Sequence, residues 1–279
     1  MQVAVLSGKG GTGKTTIAVN LFNILDNAIL LDTDVEEPNT ELFLKGVKTK
    51  TYPIIKQHPI INYDLCTFCG ACGEHCNFNA IIPTKTKVLV YDDLCHDCGL
   101  CALVCPQNAI SYTDKIIGDI NQYQTNHKTY YTGQLKVGEV SGVKIIKALK
   151  SRVSSDLTTI IDCPPGVSCS TVEGIEGSDY AIVVTEPTPF GLSDLKMVVE
   201  LLNTHQISFG VVINKSNLGN DDMHTYLNNN QIPIIEEIPF DKGYAKTYST
   251  GDLISDFFPA FKEKMINIQL YLEGEQYHE

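Results

Sequence analysis

The chain has 279 residues, a formal net charge of −12, 43% hydrophobic and 19% charged residues, and ten cysteines. That length allows one or two domains with a real core, and the composition excludes a disordered chain. No stretch approaches the roughly 18 apolar residues of a membrane span, and 21 Lys+Arg against 33 Asp+Glu argue against nucleic acid as a partner. Met1–Leu6 runs directly into Gly8. This leaves no room for a signal peptide, so the expected compartment is the cytoplasm. There, cysteines read as metal ligands before disulfides.

The first predicted element is a buried strand at Val3–Leu6, which feeds Gly8-Lys9-Gly10-Gly11-Thr12-Gly13-Lys14-Thr15-Thr16. Gly8, Gly10 and Gly13 satisfy G-x-G-x-x-G, and Asp32 lies 19 residues past Gly13, as in a dinucleotide fingerprint. The same string also satisfies G-x4-G-K-T, a phosphate loop. Its backbone N–H groups would cradle phosphates, Lys14 would reach the β/γ oxygens and Thr15 would bind Mg²⁺. Only the phosphate-loop reading gives Lys14 and Thr15 a use. A second strand, Ile29–Leu31, ends at Asp32-Thr33-Asp34. A later one, Thr158–Ile161, ends at Asp162-Cys163-Pro164-Pro165-Gly166. An aspartate at a strand end beside a phosphate loop supports Mg²⁺, and a glycine shortly after can offer its N–H to a γ-phosphate. Taken alone, each aspartate would read as a cap or a solvated turn.

Between these strands lies a cysteine-rich segment. Cys66, Cys69, Cys72 and Cys76 are spaced C-x2-C-x2-C-x3-C, and Cys95, Cys98, Cys101 and Cys105 repeat that spacing 29 residues later. Flanking residues repeat as well, Asp64-Leu65 against Asp93-Leu94 and Asn79-Ala80-Ile81 against Asn108-Ala109-Ile110. Three thiolates two residues apart wrap one cluster from a tight loop, and the fourth points away to the other cluster. The expected ligand sets are therefore crossed. Cys66, Cys69, Cys72 and Cys105 hold one [4Fe–4S] cluster, and Cys95, Cys98, Cys101 and Cys76 hold the other. Structural zinc instead favours two C-x2-C pairs a longer loop apart, and disulfides need an oxidising compartment. Residues 59–113 resemble a bacterial two-cluster ferredoxin, with Asn77 where that pattern has proline.

The remaining chain alternates strand and helix. Strands are expected at Tyr180–Val184 and Phe209–Ile213, a helix at Leu192–Thr204, and a short last strand and turn at Ile232–Ile235 and Ile238–Pro239. The fold class expected is α/β, a doubly wound, mostly parallel sheet with ligand at the C-terminal strand ends. An α+β ferredoxin-like domain at 59–113 would interrupt an ATPase domain made of 1–58 and 114–279.

Lys9, near the start of the glycine loop, makes that loop similar to the deviant Walker A motif of the MinD/ParA/nitrogenase iron protein class. With the insert, the whole chain resembles MinD-superfamily ATPases that carry a ferredoxin domain on a cobyrinic acid a,c-diamide synthase-type fold. The resemblance implies that Lys9 reaches the nucleotide of a partner subunit in a homodimer. It implies that Asp34 orients the attacking water, Asn39 follows it in switch I, and Asp162 and Gly166 form switch II. Asn214 would recognise adenine, and Pro239-Phe240-Asp241 would flank the base. Membrane-bound relatives end in a basic amphipathic helix. Here Phe261–Tyr271 is amphipathic, but Glu273, Glu275 and Glu279 follow, and an anionic membrane repels them.

The combination implies an ATPase with ATP, Mg²⁺ and two [4Fe–4S] clusters, gating electron transfer to or from a redox protein. Two other readings stay open: a cluster scaffold or carrier, and a partner-binding switch with structural clusters. An amidotransferase is disfavoured, because Cys163 stands in switch II, the wrong place for its nucleophile. Cys169 resembles the bridging-cluster cysteine of the iron protein but lacks its companion, so a small buried thiol is the simpler reading of both leftover cysteines.

Overall fold

The structure is a computed structural model and describes residues 1–125, 128–154 and 156–275. Glu279, part of the acidic end noted above, lies outside the described residues. In chain order the strands are β1 (Gln2–Leu6), β2 (Ala28–Asp32), β3 (Val47–Ile61), β4 (Ile81–Pro83), β5 (Val88–Val90), β6 (Ile110–Thr125), β7 (Lys128–Leu135), β8 (Thr158–Asp162), β9 (Tyr180–Thr185), β10 (Ser208–Asn214) and β11 (Ile234–Ile238). The helices are α1 (Lys14–Ile24), α2 (Thr40–Leu44), α3 (Ala71–Glu74), α4 (Leu100–Leu103), α5 (Val143–Lys150), α6 (Cys169–Ile175), α7 (Pro189–Thr204), α8 (Asp222–Asn229), α9 (Lys242–Ser249), α10 (Ile254–Phe257) and α11 (Pro259–Glu275).

The chain divides into two compact units. The first comprises Met1–Tyr52, Ile120–Gln134 and Gly142–Glu279, and the second Pro53–Asp119 with Leu135–Ser141. The large sheet runs β11-β10-β9-β1-β8-β2-β7-β6-β3. From β11 to β7 every pairing is parallel. A parallel sheet covered on both faces needs near-continuous apolar strands, as Val3–Leu6 of β1 and Tyr180–Val184 of β9 are.

Alternation along each strand divides the core. Val3, Val5, Leu30, Ile160 and Ile182 face a layer built by Ile17, Leu21 and Phe22 of α1 and Phe261, Met265 and Ile268 of α11. Ala4, Leu6, Leu31, Ile161 and Val183 face the opposite layer, with Leu195, Val198 and Leu202 of α7 and Met223 and Leu227 of α8. This is the doubly wound, mostly parallel α/β sheet expected from the sequence. Among the described residues no helix is long and apolar enough to cross a membrane.

The apolar pattern did not announce β3 or β6. Each is long: β3 passes from the first unit into the second at Pro53, and β6 passes from the second into the first at Ile120.

In the second unit β4 and β5 form an antiparallel pair, and the duplication is visible in the backbone. Phe68 and Asp97 take left-handed φ of 57° and 56°, and Asn79 and Asn108 take 52° and 50°. Each pair is separated by the repeat length. The two short helices α3 and α4 each follow a left-handed glycine, Gly70 and Gly99. The halves then exchange backbone bonds: Asn62 N–H donates to Ala109 O, and Tyr91 N–H donates to Ala80 O, both at 2.8 Å.

Candidate functional site

The phosphate loop spans the gap between β1 and α1, with Gly11 and Gly13 at φ 81° and 98°. Gly13 also lacks room for a side chain, since a Cβ there would lie 2.5 Å from Asn214 Nδ2. A Cβ on Gly8 would meet the Asp194 backbone oxygen at the same distance. α1 starts at Lys14, which is buried. An ammonium on the first residue of a helix opposes the helix dipole, so this placement fits an anion arriving at the helix N-terminus. The Thr12 hydroxyl oxygen is buried without a hydrogen-bond partner among the described residues. Lys9 is half-buried, and its carbonyl accepts the Ser7 hydroxyl at 2.6 Å.

Asp32, at the end of β2, is fully buried. Its Oδ2 accepts the Asn39 N–H at 3.1 Å, the Thr40 N–H at 3.2 Å and the Thr40 hydroxyl at 2.9 Å, and its Oδ1 accepts the Asp34 N–H at 3.2 Å. Asp32 therefore folds residues 33–40 back over the end of β2 and satisfies the first amides of α2. Burial pushes its carboxyl up to about 7, against these hydrogen bonds. Asp34 is raised by burial too, while the Lys14 charge pulls it down.

Asp162, at the end of β8, differs. Both of its oxygens are buried without a hydrogen-bond partner among the described residues. Burial and then the Asp32 charge raise its carboxyl well above the usual range, and the Thr15 hydroxyl and Lys14 act in the other direction. An orphaned, buried carboxylate beside Thr15 and Lys14 fits a hydrated divalent cation and is otherwise costly. The Asn39 amide oxygen is orphaned as well. Gly166 has φ 84°, and its N–H donates to the Ser7 carbonyl at 2.9 Å. This bond ties the turn after β8 to the phosphate loop and occupies the Gly166 amide.

Asn214 ends β10 against the loop. Its Nδ2 donates to Thr12 O at 2.8 Å, and its Oδ1 accepts the Lys215 N–H at 2.9 Å. One N–H of the amide remains for a ligand. Pro239 is half-buried after β11. Asn217 brackets Phe240, accepting its N–H at 2.7 Å and donating to its carbonyl at 3.3 Å. Asp241 caps α9 through Gly243 N–H at 2.6 Å.

The cysteines of the second unit converge in two groups. Cys66, Cys69, Cys72 and Cys105 line one small cavity. Cys76, Cys95, Cys98 and Cys101 line another. Each cavity takes three cysteines from one run and one from the other. No group of three or more His, Cys, Asp or Glu among the described residues is set to hold a single metal ion. Each set places four thiols around one cavity. Cys163 is buried as expected, with its thiol pushed up to about 12 by burial, whereas Cys169, expected to be buried too, is exposed because it opens α6 at the surface.

Residues 3–254 match the model of the CobQ/CobB/MinD/ParA nucleotide-binding domain. The chain belongs to this family. It is 32% identical over 261 residues to the uncharacterized protein MJ0578 of Methanocaldococcus jannaschii, covering 92% of this chain and 90% of that one. Among solved structures it is similar to the cell division ATPase MinD of Pyrococcus furiosus, with TM-score 0.61, 19% identity and 98% of both chains covered. It is also similar to MinD of Pyrococcus horikoshii complexed with Mg-ADP, with TM-score 0.57, 19% identity, and 96% and 93% covered. At these identities the likeness establishes the MinD-type P-loop fold.

In this CobQ/CobB/MinD/ParA member the structure gathers Lys14, Thr15, Asp32, Asp34 and Asp162 at the C-terminal ends of β1, β2 and β8. Sequence reasoning missed Thr40, whose hydroxyl and amide both bind Asp32. A threonine shortly before an apolar run was the available signal, since such residues sit at helix starts. It also missed the buried Lys56–Glu139 pair, 2.6 Å apart, with Lys56 Nζ donating to Asp92 O at 3.0 Å. The two residues are far apart in sequence, and no local pattern links them.

Proposed function

We propose that this chain is a Mg²⁺-dependent ATPase whose nucleotide switch governs one-electron transfer through two [4Fe–4S] clusters bound within residues 59–113. The observation that carries the proposal is the convergence of eight cysteines into two crossed sets of four on a chain with a phosphate loop. Closed four-cysteine sites suit resident clusters better than cargo, which favours electron transfer over the carrier reading.

In this reading Lys14 and the loop amides hold the β and γ phosphates, and Thr15 with Asp162 holds Mg²⁺. The cation supplies charge neutralisation to the transferring phosphoryl group. Asp34 orients the attacking water. Asp32 takes a role unlike the Mg²⁺ support expected of it: its hydrogen bonds hold switch I in place. Gly166 N–H exchanges the Ser7 carbonyl for the γ-phosphate, which makes switch II responsive to triphosphate. The remaining Asn214 N–H meets the base beside Pro239. Lys9 makes no ion pair among the described residues and is assigned to the nucleotide of a second protomer, as in a homodimer closed across ATP. An acidic chain carrying anionic clusters favours a redox partner with a basic surface.

The test is anaerobic purification, iron and sulfide analysis, and EPR potentiometry with ADP and with a non-hydrolysable ATP analogue. The expected result is iron for two clusters and a midpoint shift with the triphosphate alone. Identical potentials with and without nucleotide would refute gating. Quantitative transfer of clusters to an apo-acceptor on ATP addition would establish the carrier reading instead.

A further inference from the structure

We infer that the two cysteine sites are electronically unequal, and that the first electron to enter settles at the Cys76–Cys95–Cys98–Cys101 site, held there by the Tyr112 hydroxyl. This deepens the cluster reading above and rests on it.

The duplication makes the comparison direct, because each residue lining one site, Ile61 excepted, has a counterpart 29 positions away lining the other. The frame is nearly the same at both sites: left-handed Phe68 and Asp97, Gly70 and Gly99, and a short helix after each. The side chains differ. Tyr112 lines the second cavity, and its counterpart Pro83 lines the first. The Tyr112 oxygen lies 3.4 Å from Cys101 Sγ and 3.0 Å from the Gly99 carbonyl. A cluster-bound thiolate has no proton to give, so the hydroxyl is the donor, shared between sulfur and carbonyl. Proline at the matching place has no donor.

The Cys66–Cys69–Cys72–Cys105 cavity has Ile61, Phe68, Pro83, Val88 and Ile110 around its cysteines and no charged side chain among its lining. Its hydrogen bonds to sulfur come from the backbone, Ala109 N–H to Cys105 Sγ at 3.3 Å and Gly73 N–H to Cys72, as Asp97 N–H also serves Cys95 at the second site. Near the second site stand Lys56 and Lys115, paired with Glu139 and Asp92. His58 lies beside Asp92 at 2.5 Å, and Asp97 lies on the cysteine loop itself. Lys56 and Lys115 balance Glu139 and Asp92, and Asp97 adds one negative charge that works against the hydroxyl dipole; Pro83 offers no such dipole at the first site.

The step is a single electron transfer from a one-electron donor, such as a reduced iron–sulfur or flavin protein. The cluster gains one negative charge, and no bond forms or breaks. Donors to cluster sulfur favour the more anionic, reduced state, and apolar surroundings disfavour it. Reduction therefore begins at the Tyr112 side, and the apolar site follows at lower potential.

The experiment is a reductive titration of the anaerobic full chain, followed by EPR, on wild type, Tyr112→Phe and Tyr63→Phe. Phe keeps the ring and removes only the hydroxyl. Tyr63 is the control, because its hydroxyl donates to the Val88 carbonyl at 3.1 Å rather than to sulfur. The wild type should reduce in two resolved steps. Tyr112→Phe should lower only the upper step, with the reduced fraction at the wild-type midpoint falling about tenfold in ratio, the effect of one hydrogen bond to a charged acceptor. Tyr63→Phe should move neither step. A chain that takes up no iron overturns the cluster reading and this inference together. Full iron content with one unresolved wild-type step, or with Tyr112→Phe leaving the upper step in place, overturns this inference alone.

Discussion

Nucleotide-free protein should lose stability as pH rises from about 5 to about 8, through its buried carboxylates. Burial raises the Asp32 carboxyl from an ordinary 3.8 to about 7, with the Asp34 charge adding to the effect and the Thr40 and Asn39 hydrogen bonds opposing it. The folded value lies above the unfolded one. The contribution is therefore complete below the unfolded value and lost as pH climbs through the folded one. At pH 5 the unfolded carboxyl is already ionised and the folded one is not, so the part still to be lost spans two pH units, ~3 kcal/mol. Asp162 contributes with the same sign. For a unit of this size the melting midpoint should fall by roughly 6–12 °C.

The assay is thermal unfolding of the full chain at about 0.3 M salt, which screens the general repulsion of an acidic surface but hardly touches buried carboxylates. Saturating Mg-ADP should flatten the profile, because a cation beside Asp162 favours the ionised forms. Asp162→Asn should raise the nucleotide-free midpoint at pH 8 while abolishing Mg²⁺-dependent turnover. A midpoint that is flat, or that rises with pH, in the absence of nucleotide would refute the placement of these carboxyls in surroundings where burial outweighs their stabilising contacts.

Lys14→Ala should abolish ATP turnover in a phosphate-release assay and leave the visible absorbance of the cysteine-rich unit unchanged; loss of both would show that the units do not fold separately. For Asp34→Ala the expected outcome is nucleotide binding by calorimetry without hydrolysis, and retained turnover removes Asp34 from its role. Gly13→Ala forces an L side chain to φ 98° and into Asn214 Nδ2, so a loss of ~1–3 kcal/mol of stability is expected on unfolding, with weakened nucleotide binding.

The parallel core was legible because its strands are short, mostly apolar runs, two of which lead into the phosphate loop and into Asp162. Val3–Leu6, Thr158–Ile161 and Tyr180–Val184 differ from the observed strands by a residue or two at the ends. The strands β3 and β6 were not legible. Val47–Ile61 carries Lys48, Lys50, Pro53 and Pro59, and its first five residues are exposed. Such a strand at the outer edge of a sheet needs no apolar alternation, and its lysines and prolines suit an edge position. At the site, residue types were readable and partners were not. The sequence marked Asp32 and Asp162 alike as strand-end aspartates. The structure separates them: Asp32 is hydrogen-bonded to Asp34, Asn39 and Thr40, and Asp162 has no hydrogen-bond partner among the described residues. That distinction depends on which backbone amides turn back toward the strand end, and no spacing encodes it.

The exchanged bonds Asn62 to Ala109 and Tyr91 to Ala80 carry a lesson about ancestry and dissection. Either half of the repeat, taken alone, supplies three cysteines to one cavity and a single cysteine to the other, with its flanking backbone groups seeking the missing copy. A solitary half could complete a cavity only by embracing a second identical chain, so the tandem arrangement is a symmetric dimer captured within one polypeptide. Removing either half therefore dismantles both cavities at once.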